Sequence, residues 1–239
     1  MPPPSHRVAG QYTRGYLPHI RVEGRRYFVT FRLDGTLPQE VLHNLQGERD
    51  ELIRKAGREG HQLSWDEQKR LFDLYSERIE SHLDAGRGDC WLKNPRVAEI
   101  VASALRFFVN SRYALGAWVV MPNHVHVLVR PLGEHTLDSV VKSWKGFSAR
   151  EANKILERTG EVFWAHEYYD HWLRDEDEKA RLTAYVYDNP VKAGLCARPE
   201  DWLWSSAHPR WARGVGTGGS KASQPADTNV GVTGEGAPP

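Results

Sequence analysis

The chain has almost no cysteine. Cys90 and Cys196 are the only two in 239 residues, which excludes a disulfide framework and a cysteine zinc cage. It has no apolar run of eighteen residues, so no membrane span is expected. The start, Met-Pro-Pro-Pro-Ser-His-Arg, lacks an apolar signal core, so secretion is not expected and a cytoplasmic location is. No Gly-x-x-x-x-Gly-Lys-Ser/Thr segment occurs, which argues against a phosphate loop and against a nucleotide cofactor. Net charge is also scarce, at +1, so bulk charge does not announce a nucleic-acid binder. No internal repeat is visible.

What is present is an ordinary globular composition, 40% hydrophobic and 26% charged, long enough for one domain with insertions and a tail. Charge is uneven along the chain. Arg7, Arg14, Arg21, Arg25, Arg26 and Arg32 face only Glu23 near the start, whereas Glu40 to Asp89 is acidic on balance. The basic stretch, with Tyr12, Tyr16 and Tyr27, fits either a phosphate-tracking arm or a solvated one.

Residues 1–24 read as irregular, with prolines at 2–4 and 18 and glycines at 10 and 15. Tyr27 to Leu33 reads as a strand, being aromatic and β-branched. Residues 39–93 read as a helical insertion, broken near Gly57 to Gly60, with Ser64 and Glu67 as a capping box on its second helix. Pro95 to Asn110 is a helix with an apolar stripe at Val97, Ile100, Val101, Ala104, Leu105 and Phe108. Two strands flank Pro122-Asn123. Thr136 to Leu156 is a helix, with Val140, Val141, Trp144 and Phe147 toward a core and Lys142, Lys145 and Arg150 outward. Glu161 to Arg174 contains a strand. Asp175 to Asn189 is a helix capped by Asp175 with Glu178 answering, and ended by Pro190. Trp202, Trp204 and Trp211 pack the last part down. Residues 213–239 read as a disordered tail. This order predicts an α+β fold, with a mainly antiparallel four- or five-stranded sheet and helices packed on it.

Two stretches carry chemistry. In Met121-Pro122-Asn123-His124-Val125-His126-Val127, the period of two puts His124 and His126 on one strand face and the valines on the other. Such a pair is either a metal-ligand pair or a half-exposed polar pair. In Tyr185-Val186-Tyr187-Asp188-Asn189-Pro190, Tyr185 and Asn189 share a helix face and Tyr187 does not. The Asn189 amide oxygen is a neutral hard donor suited to Mg²⁺ or Mn²⁺. Alone, this second pair fits packing and capping equally well.

Together, these motifs resemble the HUH motif and tyrosine helix of the single-tyrosine HUH transposases, most like the REP-associated tyrosine transposases. Leu17 to Arg21, Tyr27 to Phe31, Phe163-Trp164 and Trp202 to Ser206 also fit, so the likeness runs from about residue 16 to 207. The resemblance implies a ferredoxin-like HUH fold over 25–212, after a basic arm at 1–24. It implies His124 and His126 as metal ligands, Asn189 as a third polar ligand and Tyr185 as nucleophile. It further implies a divalent metal, Mg²⁺ or Mn²⁺, and single-stranded or hairpin DNA cut and rejoined through a 5′-phosphotyrosine. Arg14, Arg21, Arg25, Arg26, Lys142 and Lys145 are the candidate DNA contacts, and the protein would act as a monomer or homodimer. The rival readings are a non-cutting binder of palindromic DNA and a water-using metal hydrolase. The 39–93 segment has no counterpart in the family pattern.

Overall fold

The computed structural model describes residues 8–13, 18–22, 24–58, 79, 81–83, 85–86 and 88–212. Near the start, β1 (Val8–Thr13) and β2 (Pro18–Val22) pair antiparallel as a separate two-stranded sheet, so these two segments are not irregular. Pro18 misled the sequence reading. It stands at the first position of its strand, where a missing N–H is tolerated.

The main sheet contains β3 (Tyr27–Leu33), β4 (Tyr113–Val120), β5 (His124–Pro131) and β6 (Trp164–Trp172), in the order β4-β5-β3-β6. Every pairing is antiparallel. After β3 the chain runs through α1 (Gln39–Arg58) and α2 (Pro95–Phe107) to the β4–β5 hairpin. It then passes through α3 (Leu137–Ile155) to β6 and on into α4 (Glu176–Lys192). Strand, helix, strand, strand, helix, strand is the ferredoxin-like order. The sheet has four strands, and β1–β2 does not extend it.

Alternation assigns the two faces. Val29, Phe31, Val125, Val127 and Val129 point toward α2 and α3, where they join Val97, Val101, Leu105, Val140 and Trp144 in the larger core. Phe28, Leu128, Val119 and Met121 point the other way and are covered by Leu182 and Val186 of α4. A short helix, α5 (Pro209–Ala212), and the preceding segment close the far end of the edge strand β4. There Val120 N–H donates to Trp204 C=O (2.8 Å) and Ser206 N–H to Trp118 C=O (2.9 Å). Trp204 and Trp211 are buried, as the sequence suggested.

Three local expectations change. Phe147 is 44% exposed, because Ser148 takes the inward position and bridges Trp144 C=O and Trp164 Nε1. Pro190 lies inside α4, which runs two residues beyond it. The stop is instead a turn at Gly194 (φ 68°), where Gly194 N–H reaches Val191 C=O and Leu195 N–H reaches Pro190 C=O. Asp175 does cap α4, accepting from Glu178 N–H (2.8 Å). The Glu178 carboxylate, however, takes Arg174 N–H (2.8 Å) and the buried His171 ring (3.0 Å) rather than closing the box. Of the second insertion helix only residue 79 and residues 81–83 are described, all helical, and its start at Ser64 and Glu67 lies outside the described residues, as does the tail.

One buried hydroxyl ties the larger core together. Tyr113 Oη accepts from Trp144 Nε1 (2.8 Å) and donates to Leu105 C=O (3.0 Å), joining β4, α3 and α2. Burial is the main cause that raises its pKa. Tyr113→Phe strands the buried indole N–H. The expected cost is about 1–3 kcal/mol, read as a lower midpoint in urea unfolding without loss of the fold.

Candidate active site

The β4–β5 turn is held from three sides. Met121 N–H donates to His124 C=O (2.8 Å), Leu33 N–H to Asn123 C=O (2.8 Å), and Leu92 N–H to Pro122 C=O (3.1 Å). The first residue after this turn, His124, lies opposite Arg32 of β3, and His126 lies opposite Thr30. Both histidines are fully buried, on the sheet face covered by α4.

Their inner nitrogens meet, with His124 Nε2 and His126 Nε2 3.0 Å apart. The outer nitrogens are engaged. Asn123 Oδ1 lies 2.8 Å from His124 Nδ1, and an amide oxygen only accepts, so Nδ1 carries the proton and Nε2 presents its lone pair. Asn123 is itself oriented, because its Nδ2 donates to Leu83 C=O (3.0 Å) in the insertion. Thr30 Oγ1 lies 2.7 Å from His126 Nδ1, and a hydroxyl serves either tautomer of that ring. Burial pushes the His124 pKa down to about 3. Burial, and then the neighbouring His124, push His126 well below its ordinary value. Both rings are therefore neutral at pH 7, the form that binds metal.

α4 brings the second half of the site. Leu182 and Val186 anchor it on Phe28, Leu128 and Met121. Tyr185, one residue before Val186, then sits edge-on to His126 at 5.4 Å between ring centroids and to Phe28 at 5.9 Å. Asn189, one turn on, donates from Nδ2 to Tyr185 Oη (3.2 Å). Its Oδ1 is buried and has no hydrogen-bond partner. Lys192 Nζ lies 4.9 Å from the centre of the Tyr185 ring. Tyr187 is on another side of α4, in a cleft with Arg26 and Lys179. The structure thus gathers His124, His126, Tyr185 and Asn189, and separates Tyr187 from them.

Among the described residues no cluster of three or more His, Cys, Asp or Glu forms a metal cage. The donor set fits a divalent ion nonetheless. It has two neutral imidazole nitrogens at close approach and one orphaned buried amide oxygen, which an ion would satisfy.

The candidate DNA contacts fare differently. Arg14 lies outside the described residues, and Arg21 falls within β2. Arg25 donates to Arg174 C=O (3.1 Å) and stacks over Trp172, while Arg26 pairs with Glu176 (2.6 Å). Both tie the start of β3 to the start of α4. Lys142 is exposed on α3, on the face away from the histidines. Lys145 does not point outward: its Nζ donates to Ala165 and His166 C=O (2.7 and 2.8 Å) on β6. Sequence reasoning missed Thr30 and Asn123. Asn123 read only as a turn residue, and Thr30 acquires its role through strand register, which leaves no local signal.

Comparison with known proteins gives a family match over part of the chain. Residues 92–189 match the family model described as "Transposase IS200 like". The match begins where the insertion ends and takes in His124, His126, Tyr185 and Asn189. Two curated relatives then narrow it. The REP-associated tyrosine transposase of Escherichia coli (strain K12) is 27% identical over 104 residues, covering 43% of this chain and 59% of that one. The putative REP-associated tyrosine transposase of Haemophilus influenzae is 28% identical over 98 residues, covering 37% and 56%. The chain therefore spans under three fifths of the length of these relatives. Among solved structures, a REP-associated tyrosine transposase bound to a REP hairpin aligns over 90% of this chain and 94% of its own, at 17% identity and TM-score 0.46. A structure described as a putative transposase from Deinococcus radiodurans aligns over 74% of this chain and 96% of its own, at 18% identity and TM-score 0.28. The likeness to single-tyrosine transposases of the REP-associated group, read from the motifs, holds.

Two predictions follow from this geometry. Asn123→Ala leaves the Leu83 carbonyl and His124 Nδ1 buried without their partner, so unfolding in urea should shift by about 1–3 kcal/mol. An unchanged midpoint would mean that the bridge to the insertion contributes nothing. The second concerns Lys145, whose pKa is pushed down to about 8 by burial and then Arg32, against the pull of Glu167. Unfolded lysine holds its proton to about 10.4, so between these values the unfolded state binds more protons and stability rises with pH. Lys145→Met should flatten that rise in denaturant midpoints measured from roughly pH 8 to 10.

Proposed function

We propose that this protein cleaves and rejoins DNA at a single-stranded position or a hairpin flank, through a 5′-phosphotyrosine on Tyr185. The observation that carries the reading is the convergence of the Tyr185–Asn189 pair on the paired imidazoles of His124 and His126. A water-using hydrolase would need no tyrosine there.

His124, His126 and Asn189 Oδ1 would hold a divalent cation, Mg²⁺ or Mn²⁺. When bound, it would polarise the scissile phosphate and offset its developing charge. The chain's own residues do the rest. Asn123 and Thr30 keep the two rings turned with Nε2 inward. Asn189 Nδ2 donates to Tyr185 Oη and aims the phenol. The Lys192 ammonium lies over the ring face, and the phenol's proton leaves to solvent as Oη attacks. Tyr185 Oη then attacks phosphorus, the bond from phosphorus to the 3′ oxygen breaks, and that oxygen leaves as a 3′-hydroxyl after taking up a proton. Attack by a 3′-hydroxyl on the phosphotyrosine reverses the step and rejoins DNA. The phosphodiester energy stays in the covalent link, so no nucleotide cofactor is required.

Tyr185→Phe keeps the ring that packs on Phe28 and removes the nucleophile. It should abolish both cleavage and a protein-linked band on a denaturing gel with labelled single-stranded DNA. Tyr187→Phe should retain both. The reverse pattern would overturn the assignment. Asn189→Ala should raise the Mg²⁺ concentration needed for half-maximal cleavage by roughly tenfold or more.

A further inference from the structure

A cleft of about 790 Å³ lies beside the β4–β5 hairpin, on the flank of α4 away from Tyr185. Four cations from four separate parts of the chain line it: Arg26 before β3, Arg106 on α2, Arg130 near the end of β5 and Lys179 on α4. No Asp or Glu belongs to its lining among the described residues. Glu176 sits next to it and pairs with both Arg26 and Lys179 at 2.6 Å, one carboxylate between two cations, so the surface remains positive.

Two further features point to a ligand. Arg130 is half-buried, and its Nε–H is buried without a hydrogen-bond partner, a costly state for that donor unless an acceptor such as an anion arrives. Phe107, at the end of α2, is 77% exposed on the wall of a cleft that also contains Tyr187. An aromatic ring held out in water beside a row of cations suits a chain with alternating phosphates and flat bases. A membrane surface or an acidic protein would use the cations and leave a recessed Tyr187 idle.

We propose that this cleft is a binding groove for single-stranded nucleic acid. Arg106, Arg130 and Lys179 contact phosphates, and Phe107 and Tyr187 stack on unpaired bases. The inference rests on the proposed strand-cleavage function and adds to it a track on the far flank of the tyrosine helix. It also gives Tyr187 a role that a phenylalanine ring can fill.

The test uses the full chain and a fluorescent DNA hairpin, either blunt or with a single-stranded 5′ flank. Binding is read by anisotropy between roughly 50 and 200 mM salt. Arg106→Gln and Arg130→Gln should each lower the slope of log affinity against log salt by roughly 0.7 for the flanked hairpin, while Arg130→Lys keeps it. Phe107→Ala removes a ring that lies in solvent, so it should not disturb folding, which thermal unfolding checks. It should weaken the flanked hairpin by roughly 5- to 100-fold and leave the blunt one unchanged. Wild-type slopes and affinities in Arg106→Gln and Phe107→Ala would overturn the groove. Equal losses for blunt and flanked hairpins would overturn the single-strand assignment. If the wild-type chain binds DNA and forms the covalent adduct while the groove variants behave as wild type, the groove alone fails. If the wild-type chain binds neither hairpin, the groove and the cleavage reading both fall.

Discussion

Two uncharged imidazoles are pressed together at 3.0 Å in the middle of this protein, with no water-exposed surface on either ring. Much of the local structure serves that contact. Burial keeps both rings neutral, and neutral rings can share a cation. Each outer nitrogen needs a partner in the interior, so β3 must place Thr30 opposite His126 and the turn must place Asn123 beside His124. A one-residue slip of β3 against β5 would send Thr30 to the opposite face and leave His126 unsupported. Val125, Val127 and Val129, which alternate with the histidine face, specify the register, because they belong to the core beneath the sheet.

The same contact explains how the insertion joins the fold. Leu83 carries the carbonyl that orients Asn123, and it packs with Ile79 and Leu37 in a small satellite cluster. Leu92 N–H holds Pro122 from the other end of that segment. Residues that the sequence offered only as a family-atypical addition therefore buttress the turn that starts β5. On the opposite side, α4 works with two flanks. Val186 and Leu182 fix its depth on the sheet, Tyr185 and Asn189 then face the histidines, and Lys179 and Tyr187 face the cationic cleft.

Period and capping make the main elements legible in the sequence. The alternation around His124, the stripe of α2, the Asp175 cap and the i, i+4 relation of Tyr185 to Asn189 all survive in the structure. Each pair shares a face as its spacing suggests, and the packing of α4 on the sheet sets the Tyr185–Asn189 pair beside the two histidines. What the sequence hid has a common cause: contacts between distant segments. Thr30 meets His126 across 96 residues, and Asn123 meets Leu83 across 40. Lys145 looked like an outward cation because helical period cannot reveal that backbone carbonyls of β6 lie within its reach. Apart from Arg26, the basic residues of the cleft are scattered from 106 to 179, so no linear cluster marks them. Of the two prominent neighbouring arginines, Arg25 is braced against the approach to α4, while Arg26 lines the cleft and also pairs with Glu176. In sequence Pro190 signals a stop, because its ring disfavours a helical residue before it. Here Asn189 stays helical, with its side chain in the site, and the turn at Gly194 ends the helix.

The central claim is that His124, His126 and Asn189 form one divalent-ion site beside Tyr185. Anomalous diffraction from crystals of the full chain soaked in Mn²⁺ tests it most directly. The account predicts a single strong peak within coordination distance of both Nε2 atoms and of Asn189 Oδ1, and its loss in the Asn189→Ala, His126→Ala double variant. A peak elsewhere with none between the histidines, or density for an ion bound by the imidazoles with Asn189 turned away, would contradict it.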